Sequence, residues 1–233
     1  MERFSFENFV VGDCNRAAYD TCHSIASNHY VVKTNPVFIY GKSSIGKTHL
    51  AKALQNYITN NYRELKVIYA TAEKYIDEIA DAYTGKTVDE LKKHYEFYDI
   101  IILDDVQEIY GLKITQEILL EIIRSLLTNM KQVVIISERE PEKWSDLLLN
   151  GKIVEISLPD YSMCRSMIGY YSKYNGIGNV ISDELVDYIF EYLDNSPHVY
   201  IAAINKITAY VRTYNNLTVE KAKNLLWDLR KTT

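Results

Sequence analysis

Gly41-Lys42-Ser43-Ser44-Ile45-Gly46-Lys47-Thr48 is the stretch whose reading decides the fold of this chain. It fits G-x-x-x-x-G-K-[ST], the pattern of a phosphate-cradling loop. Ahead of it Val37-Phe38-Ile39-Tyr40 reads as a buried strand, and Thr48 to Tyr57 behind it reads as a helix. A strand that feeds a glycine turn and leaves it as a helix points a series of backbone N–H groups into one concavity, which suits phosphate oxygens. In such a turn Gly41, Ser43, Ser44, Ile45 and Gly46 shape the cradle. The Lys47 ammonium reaches the β- and γ-phosphates, and the Thr48 hydroxyl is a ligand for Mg2+.

Outward from the loop, strand and helix patterns alternate. The strand candidates are Val37–Tyr40, Lys66–Ala70, Ile100–Leu103, Gln132–Ser137 and Lys152–Ser157, each rich in Val or Ile. Between them run helical patterns over Thr48–Asn60, Ala72–Ala82, Val88–Tyr95 and Thr115–Met130. This alternation predicts an α/β fold with a parallel sheet wrapped by helices on both faces. After Pro159 the pattern becomes all-helical: Tyr161–Tyr174, Ser182–Leu193, Tyr200–Tyr214 and Val219–Leu229, with Ser182 and Thr218 as N-caps. The expected organisation is a nucleotide-binding α/β domain over 1–160 and a small helical lid bundle over 161–233.

The second half of the site is expected on Asp99-Ile100-Ile101-Ile102-Leu103-Asp104-Asp105, a buried strand tipped by two acids. A strand next to the phosphate loop that delivers a carboxylate in this way holds Mg2+, which gives Asp104 that role. Asp105 is placed to act as a base on the attacking water. Val133-Val134-Ile135-Ile136 ends in Ser137 and Glu138, polar groups positioned to contact the γ-phosphate or orient that water. The guanine-reading pattern N-K-x-D is absent from the sequence, so adenine, as ATP or ADP, is the expected base.

The composition fits this picture. The chain has 233 residues, 47% hydrophobic and 24% charged, with a net charge of −5. The acidic balance argues against a surface that coats nucleic acid throughout, though not against a local basic groove. Three cysteines without a C-x-x-C spacing point to reduced thiols, and the first residues lack the apolar region of a secretory signal; a cytoplasmic location is expected.

Several segments together resemble the AAA+ module of the DnaA family of bacterial replication initiators. Phe6-Glu7-Asn8-Phe9-Val10-Val11-Gly12 with Asn15-Arg16-Ala17 resembles the family's opening segment. Asn35 to Gly41 and Gly46 to Leu50, including His49, continue it; Tyr69 with Thr71-Ala72-Glu73-Lys74-Tyr75, Asp104-Asp105-Val106-Gln107 and Ala203-Ile204-Asn205-Lys206 extend it to almost the whole chain. The resemblance implies ATP and Mg2+ as ligands, with Phe9, Val10, Val11 and Asn15 shaping the adenine pocket. It further implies a helical insertion over about 72–97 that helps assemblies grip single-stranded DNA. There Lys86, Lys92 and Lys93 read equally as phosphate contacts or as a solvated basic face.

The chain also departs from the family. It stops at Thr233, where the family continues into a helix-turn-helix domain, so reading of duplex boxes by that route is not expected. The stretch Trp144 to Lys152 lacks the arginine that reaches a neighbouring subunit's ATP, a residue worth roughly 10³–10⁵ in rate in related NTPases. At the start of the lid helix His198 stands where the family has an arginine that senses the γ-phosphate. These departures leave nucleotide binding intact and imply weak hydrolysis. Three readings remain open: a DnaA-like or Hda-like protein that assembles with itself or a replication initiator, a helicase loader or nucleotide-gated adaptor, and a degenerate ATP-binding paralogue with a structural role.

Overall fold

A computed structural model of the protein describes residues 4–28, 35–141, 150–214 and 216–231. The chain divides into two compact units. The first comprises Met1–Phe9 with Asn15–Ile156, and the second Val10–Cys14 with Ser157–Thr233.

In the first unit the elements are α1 (Arg16–Asn28), β1 (Val37–Tyr40), α2 (Lys47–Asn61), β2 (Val67–Thr71), α3 (Ala72–Gly85), α4 (Val88–Glu96), β3 (Ile100–Asp104), α5 (Lys113–Thr128), β4 (Gln132–Ser137) and β5 (Lys152–Glu155). The strands form one sheet in the order β2-β3-β4-β1-β5, every neighbouring pair parallel. Both faces are covered, which is why the strands read as unbroken apolar runs rather than as alternating ones. Val37, Ile39, Ile100, Ile102, Val134 and Ile136 face one core, against Ala18, Cys22 and Ile25 of α1 and Leu50, Leu54 and Ile58 of α2. Their neighbours Phe38, Ile101, Leu103, Val133 and Ile135 face the other, against Tyr75 and Ile79 of α3, Tyr95 of α4 and Leu119, Ile122 and Ile123 of α5. Each fully buried isoleucine contributes roughly 2 kcal/mol through the apolar area it removes from water.

Two features lie beyond the sequence reading. The acid-tipped strand β3 does not pair with the loop strand β1, because β4 lies between them. The acid still reaches the loop because α2 leaves the loop and crosses β4 and β3 on its way back to the edge strand β2. The first turn of that helix is thereby brought toward the tip of β3. The second is α1, which the strand–helix reading left out. Its buried stripe is Ala18, Cys22, Ile25 and Ala26, mostly small residues with a weak apolar signal.

The second unit carries α6 (Tyr161–Tyr174), α7 (Asp183–Tyr192), α8 (Pro197–Tyr214) and α9 (Val219–Leu225). The last expected helix stops at Leu225, and a 3-10 turn over Trp227–Leu229 follows it. Met163, Cys164, Ile168, Leu185, Ile189, Tyr200, Ile204 and Leu226 make its core. Side-chain caps start all four of these helices, with Ser196 Oγ accepting the Val199 N–H at 3.3 Å at the start of α8. Asp160 Oδ1 accepts the Met163 N–H at 2.7 Å, Ser182 Oγ that of Leu185 at 3.3 Å, and Thr218 Oγ1 that of Lys221 at 3.3 Å. Such caps contribute about 1 kcal/mol each.

Candidate nucleotide site

The loop is bent by three residues of positive φ: Gly41 at 152°, Ser44 at 61° and Gly46 at 107°. At Gly41 a Cβ would lie 2.2 Å from the Ile156 carbonyl oxygen, so no side chain fits. At Gly46 it would meet the Phe9 ring at 3.0 Å. Ile45 is buried and anchors the loop in the core, while Ser43 and Ser44 face solvent. The loop is also tied to β4, because the Gly41 N–H donates to the Ser137 carbonyl at 3.3 Å. α2 begins at Lys47 with Gly46 as its N-cap, a residue that has no side chain to satisfy the first helical N–H groups. Those donors and the positive end of the helix are suited to an anion.

Lys47 is only 5% exposed. Its ammonium donates to the carbonyls of Gly41 at 2.8 Å and Lys42 at 2.7 Å, using two of its three N–H groups. Burial lowers its pKa, and the negative charges of Glu138, Asp104 and Asp105 oppose that shift. Three of the expected acids thus converge electrostatically on the expected cation.

Asp104 is fully buried at the tip of β3. Its Oδ2 accepts the Thr48 hydroxyl at 2.8 Å and the Tyr69 hydroxyl at 2.7 Å, and its Oδ1 accepts the Asp105 N–H at 2.9 Å. Burial raises its pKa; the hydrogen bonds from Tyr69 and Thr48 act in the opposite sense, and nearby Asp105 adds to the rise. Asp105 sits at φ 62°, ψ 35°, a left-handed conformation that aspartate tolerates better than most residues. Gln107 Nε2 donates to Asp105 Oδ1 at 3.2 Å, and Gln107 Oε1 accepts the Glu138 N–H at 2.9 Å. Ser137 is fully buried, and its Oγ accepts the Arg139 N–H at 3.1 Å. Glu138 is exposed at the end of β4. Thr71, Glu73, Asp105, Gln107, Glu108 and Glu138 line a cleft of about 300 Å³ over the ends of β2, β3 and β4.

The remaining expected residues are placed less directly. Phe9 lies beside Gly46, stacks on Tyr19 at 6.0 Å and meets His49 edge-on at 5.2 Å. Asn15 is buried, and its carbonyl accepts the Tyr19 N–H at 2.9 Å. Val10, Val11 and His198 belong to the second unit, His198 exposed in the first turn of α8. The arginine-free stretch from Trp144 lies outside the described residues as far as Leu149. Sequence reasoning gave no role to Tyr69 or Gln107, which sit in the family-like segments yet make the contacts that hold the two acids.

His49 turns to the opening segment rather than to the loop. Its Nε2 donates to the Ser5 carbonyl at 3.0 Å, and its ring lies edge-on to Phe4 at 5.3 Å. Burial lowers its pKa, with the Ser5 carbonyl acting in the opposite sense. An unfolded histidine titrates near 6.5. With the folded pKa below that value, the unfolded chain binds the extra proton first, so stability falls as pH drops through about 6.5. His49→Gln, which keeps a donor toward Ser5, is expected to lose less Tm than the wild type between pH 7.5 and 5.5. Parallel melting curves for the two proteins would rule out this role for His49.

Among the described residues no cluster of three or more His, Cys, Asp or Glu side chains is suited to hold a metal alone, and no helix is long and apolar enough to cross a membrane. The loop, the buried acid and the strand order define the class of protein: a P-loop nucleotide-binding domain of AAA+ type, followed by a helical unit.

Comparison with known proteins narrows the class. Residues 1–151 match the bacterial DnaA ATPase domain. The chain is 34% identical over 234 residues to the chromosomal replication initiator protein DnaA of Thermosipho africanus, covering 96% of this chain and 52% of that protein. Domain III of the Thermotoga maritima replication initiation protein DnaA superposes with a TM-score of 0.83 at 30% identity, covering 98% of this chain and 97% of that one. A replication initiator DnaA bound to AMPPCP and single-stranded DNA gives 0.78 at 27% identity, covering 96% of this chain and 69% of that one. The chain belongs to the bacterial DnaA ATPase-domain family. It spans about half the length of the initiator proteins it matches.

Proposed function

We propose that this chain binds ATP or ADP with Mg2+ on the loop Gly41–Thr48 and works in replication initiation, or its control, through nucleotide-dependent assembly with other proteins. The observation that carries the reading is the pairing of Thr48 Oγ1 with Asp104 Oδ2 at 2.8 Å, beside a buried Lys47. Lys47 has one N–H left for a phosphate oxygen. The residues present fit Mg2+: the Thr48 hydroxyl and the buried Asp104 carboxylate, which is held by hydroxyl and backbone donors, are hard oxygen donors. Mg2+ in such sites takes few protein ligands and completes its shell with phosphates and water, which suits a place without a larger ligand cluster. When bound, Mg2+ supplies neutralisation of the phosphate charge. Thr48 and Asp104 would hold it.

In this reading Asp105 takes the proton of the water that attacks the γ-phosphorus, as ATP and water become ADP and phosphate. Ser137 and Glu138 orient that water from the neighbouring strand tip. Phe9, beside Gly46, and Asn15 shape the adenine side of the site within the first unit. At the lid position where the family has an arginine, His198 lacks the planar bidentate fork of a guanidinium. Turnover is therefore slow in the isolated chain, and binding is its principal property.

One relative is bound to single-stranded DNA, and the family resemblance would put a DNA-gripping role on the insertion made by α3 and α4. Its charge here favours the other role. Over 72–97 there are seven carboxylates against four lysines. Lys74 is paired with Glu78 at 3.4 Å, and Lys92 and Lys93 share a hollow with Asp89 and Glu96. We therefore favour contact with protein partners, a replication initiator, a helicase or a second copy, over a grip on phosphates. An oligo(dT) titration at 50 and 200 mM salt tests this choice, with no salt-dependent affinity expected. A log K that falls by roughly 0.4 per contacted phosphate over this fourfold range (a slope of about 0.7 per phosphate per tenfold salt), and flattens in Lys92→Ala/Lys93→Ala, establishes the DNA reading instead. The assembly itself is tested by capture of purified full-length initiator or helicase in ATP and in ADP. More capture in ATP supports the proposal, and equal capture in both nucleotides removes nucleotide control from it.

A further inference from the structure

We infer that Gln107 is a positioning residue that ties the base candidate Asp105 to the tip of the neighbouring strand β4. The inference rests on the nucleotide-hydrolysing reading of the site and deepens it. Gln107 lies in the 3-10 turn Val106–Ile109, immediately after β3. Its amide spans two strand tips, with Nε2 3.2 Å from Asp105 Oδ1 and Oε1 2.9 Å from the Glu138 backbone nitrogen. The chemistry fixes the orientation of this amide. A carboxylate only accepts and a backbone N–H only donates, so the two ends of the side chain cannot be exchanged.

Asp105 needs such a restraint. Its backbone is pinned by its own N–H on Asp104 Oδ1 at 2.9 Å and by its carbonyl, which accepts the Glu108 N–H at 3.0 Å. Its φ of 62° is held by these bonds rather than by intrinsic preference. The side chain is half-exposed at the rim of the cleft, and without a partner it would turn through its rotamers. Gln107 selects one of them. It also fixes the distance from Asp105 to the Ser137–Glu138 tip, the other group expected near the γ-phosphate. One amide thus sets the relation of two candidate groups that lie on separate strands. Displacement of such a group by about 1 Å costs roughly 100-fold in rate.

Three variants separate this role from a merely structural one. Gln107→Leu keeps the volume and loses both bonds. Gln107→Glu keeps an acceptor for the Glu138 N–H but turns a carboxylate toward Asp105. Gln107→Asn keeps the amide and shortens its reach. Expected are ATP affinity within about 2-fold of wild type in all three and a kcat lowered roughly 10- to 100-fold in Gln107→Leu and Gln107→Glu, with KM unchanged. NMR reads the two ends independently of turnover. The Glu138 amide exchanges faster in Gln107→Leu but not in Gln107→Glu, while the Asp105 carboxyl resonance moves in both. If neither resonance moves in Gln107→Leu, or if its kcat equals that of wild type, the inference is overturned. A wild type that binds ATP without turnover would defeat the hydrolytic reading alone, and the two-ended resonance pattern would still decide the brace.

Discussion

Lys47→Ala is expected to weaken ATP binding by at least about 100-fold, to the point where calorimetry registers no heat of association. The Lys47 ammonium is 5% exposed and is held over the loop by the Gly41 and Lys42 carbonyls. It is already desolvated and oriented, so a phosphate that meets it pays little for further ordering. Truncation removes the charge and leaves the nucleotide's negative groups facing Glu138, Asp104 and Asp105 with one positive charge fewer to offset them. The expected cost is on the order of 3 kcal/mol or more. The fold should survive, because the loop is also fixed by Ile45 in the core and by the Gly41 bond to Ser137. A cooperative melt of the variant is the control. Equal ATP affinities for the variant and the wild type would contradict the assignment of the site.

Asp105→Asn is expected to separate binding from turnover. Asparagine adopts the left-handed conformation as readily as aspartate and has nearly the same volume, so the φ of 62° is retained. The bonds that hold Asp104 to Thr48 and Tyr69 do not pass through the Asp105 side chain. ATP affinity in Mg2+ should therefore stay within about 3-fold of wild type. A neutral amide cannot accept the proton of the attacking water, and loss of a general base lowers the rate by about 10²–10³-fold. Single-turnover hydrolysis with saturating ATP reads the chemical step apart from product release. A variant that loses affinity and rate by the same factor would assign Asp105 to nucleotide binding rather than to the base.

Much of this was legible in the residues, for a physical reason. A sheet covered on both faces must be built from continuous apolar runs, and Ile100–Leu103 and Val133–Ile136 could be read as buried strands without knowledge of their neighbours. The loop was legible because a backbone that turns three times through positive φ demands glycine where a side chain would collide, as at Gly41. Strand order was not. The insertion of β4 between β1 and β3 depends on how α2 crosses the sheet, and no local pattern encodes a crossing. α1 escaped because alanines and a cysteine make a faint stripe. Tyr69 and Gln107 escaped because neither residue type announces its partner. A tyrosine in a strand and a glutamine in a turn acquire meaning only when the Asp104 and Asp105 carboxylates are 2.7 Å and 3.2 Å away. His49 follows the loop motif directly, yet helical rotation carries its side chain to Ser5 and Phe4.

The most direct measurement is a crystal structure of this chain with a non-hydrolysable ATP analogue and Mg2+. It should show the β- and γ-phosphates on the amides of Gly41–Thr48, Lys47 against their oxygens, and the metal beside Thr48 and Asp104. An analogue seated elsewhere, or a loop closed over by one of its own side chains at saturating analogue, would contradict the account.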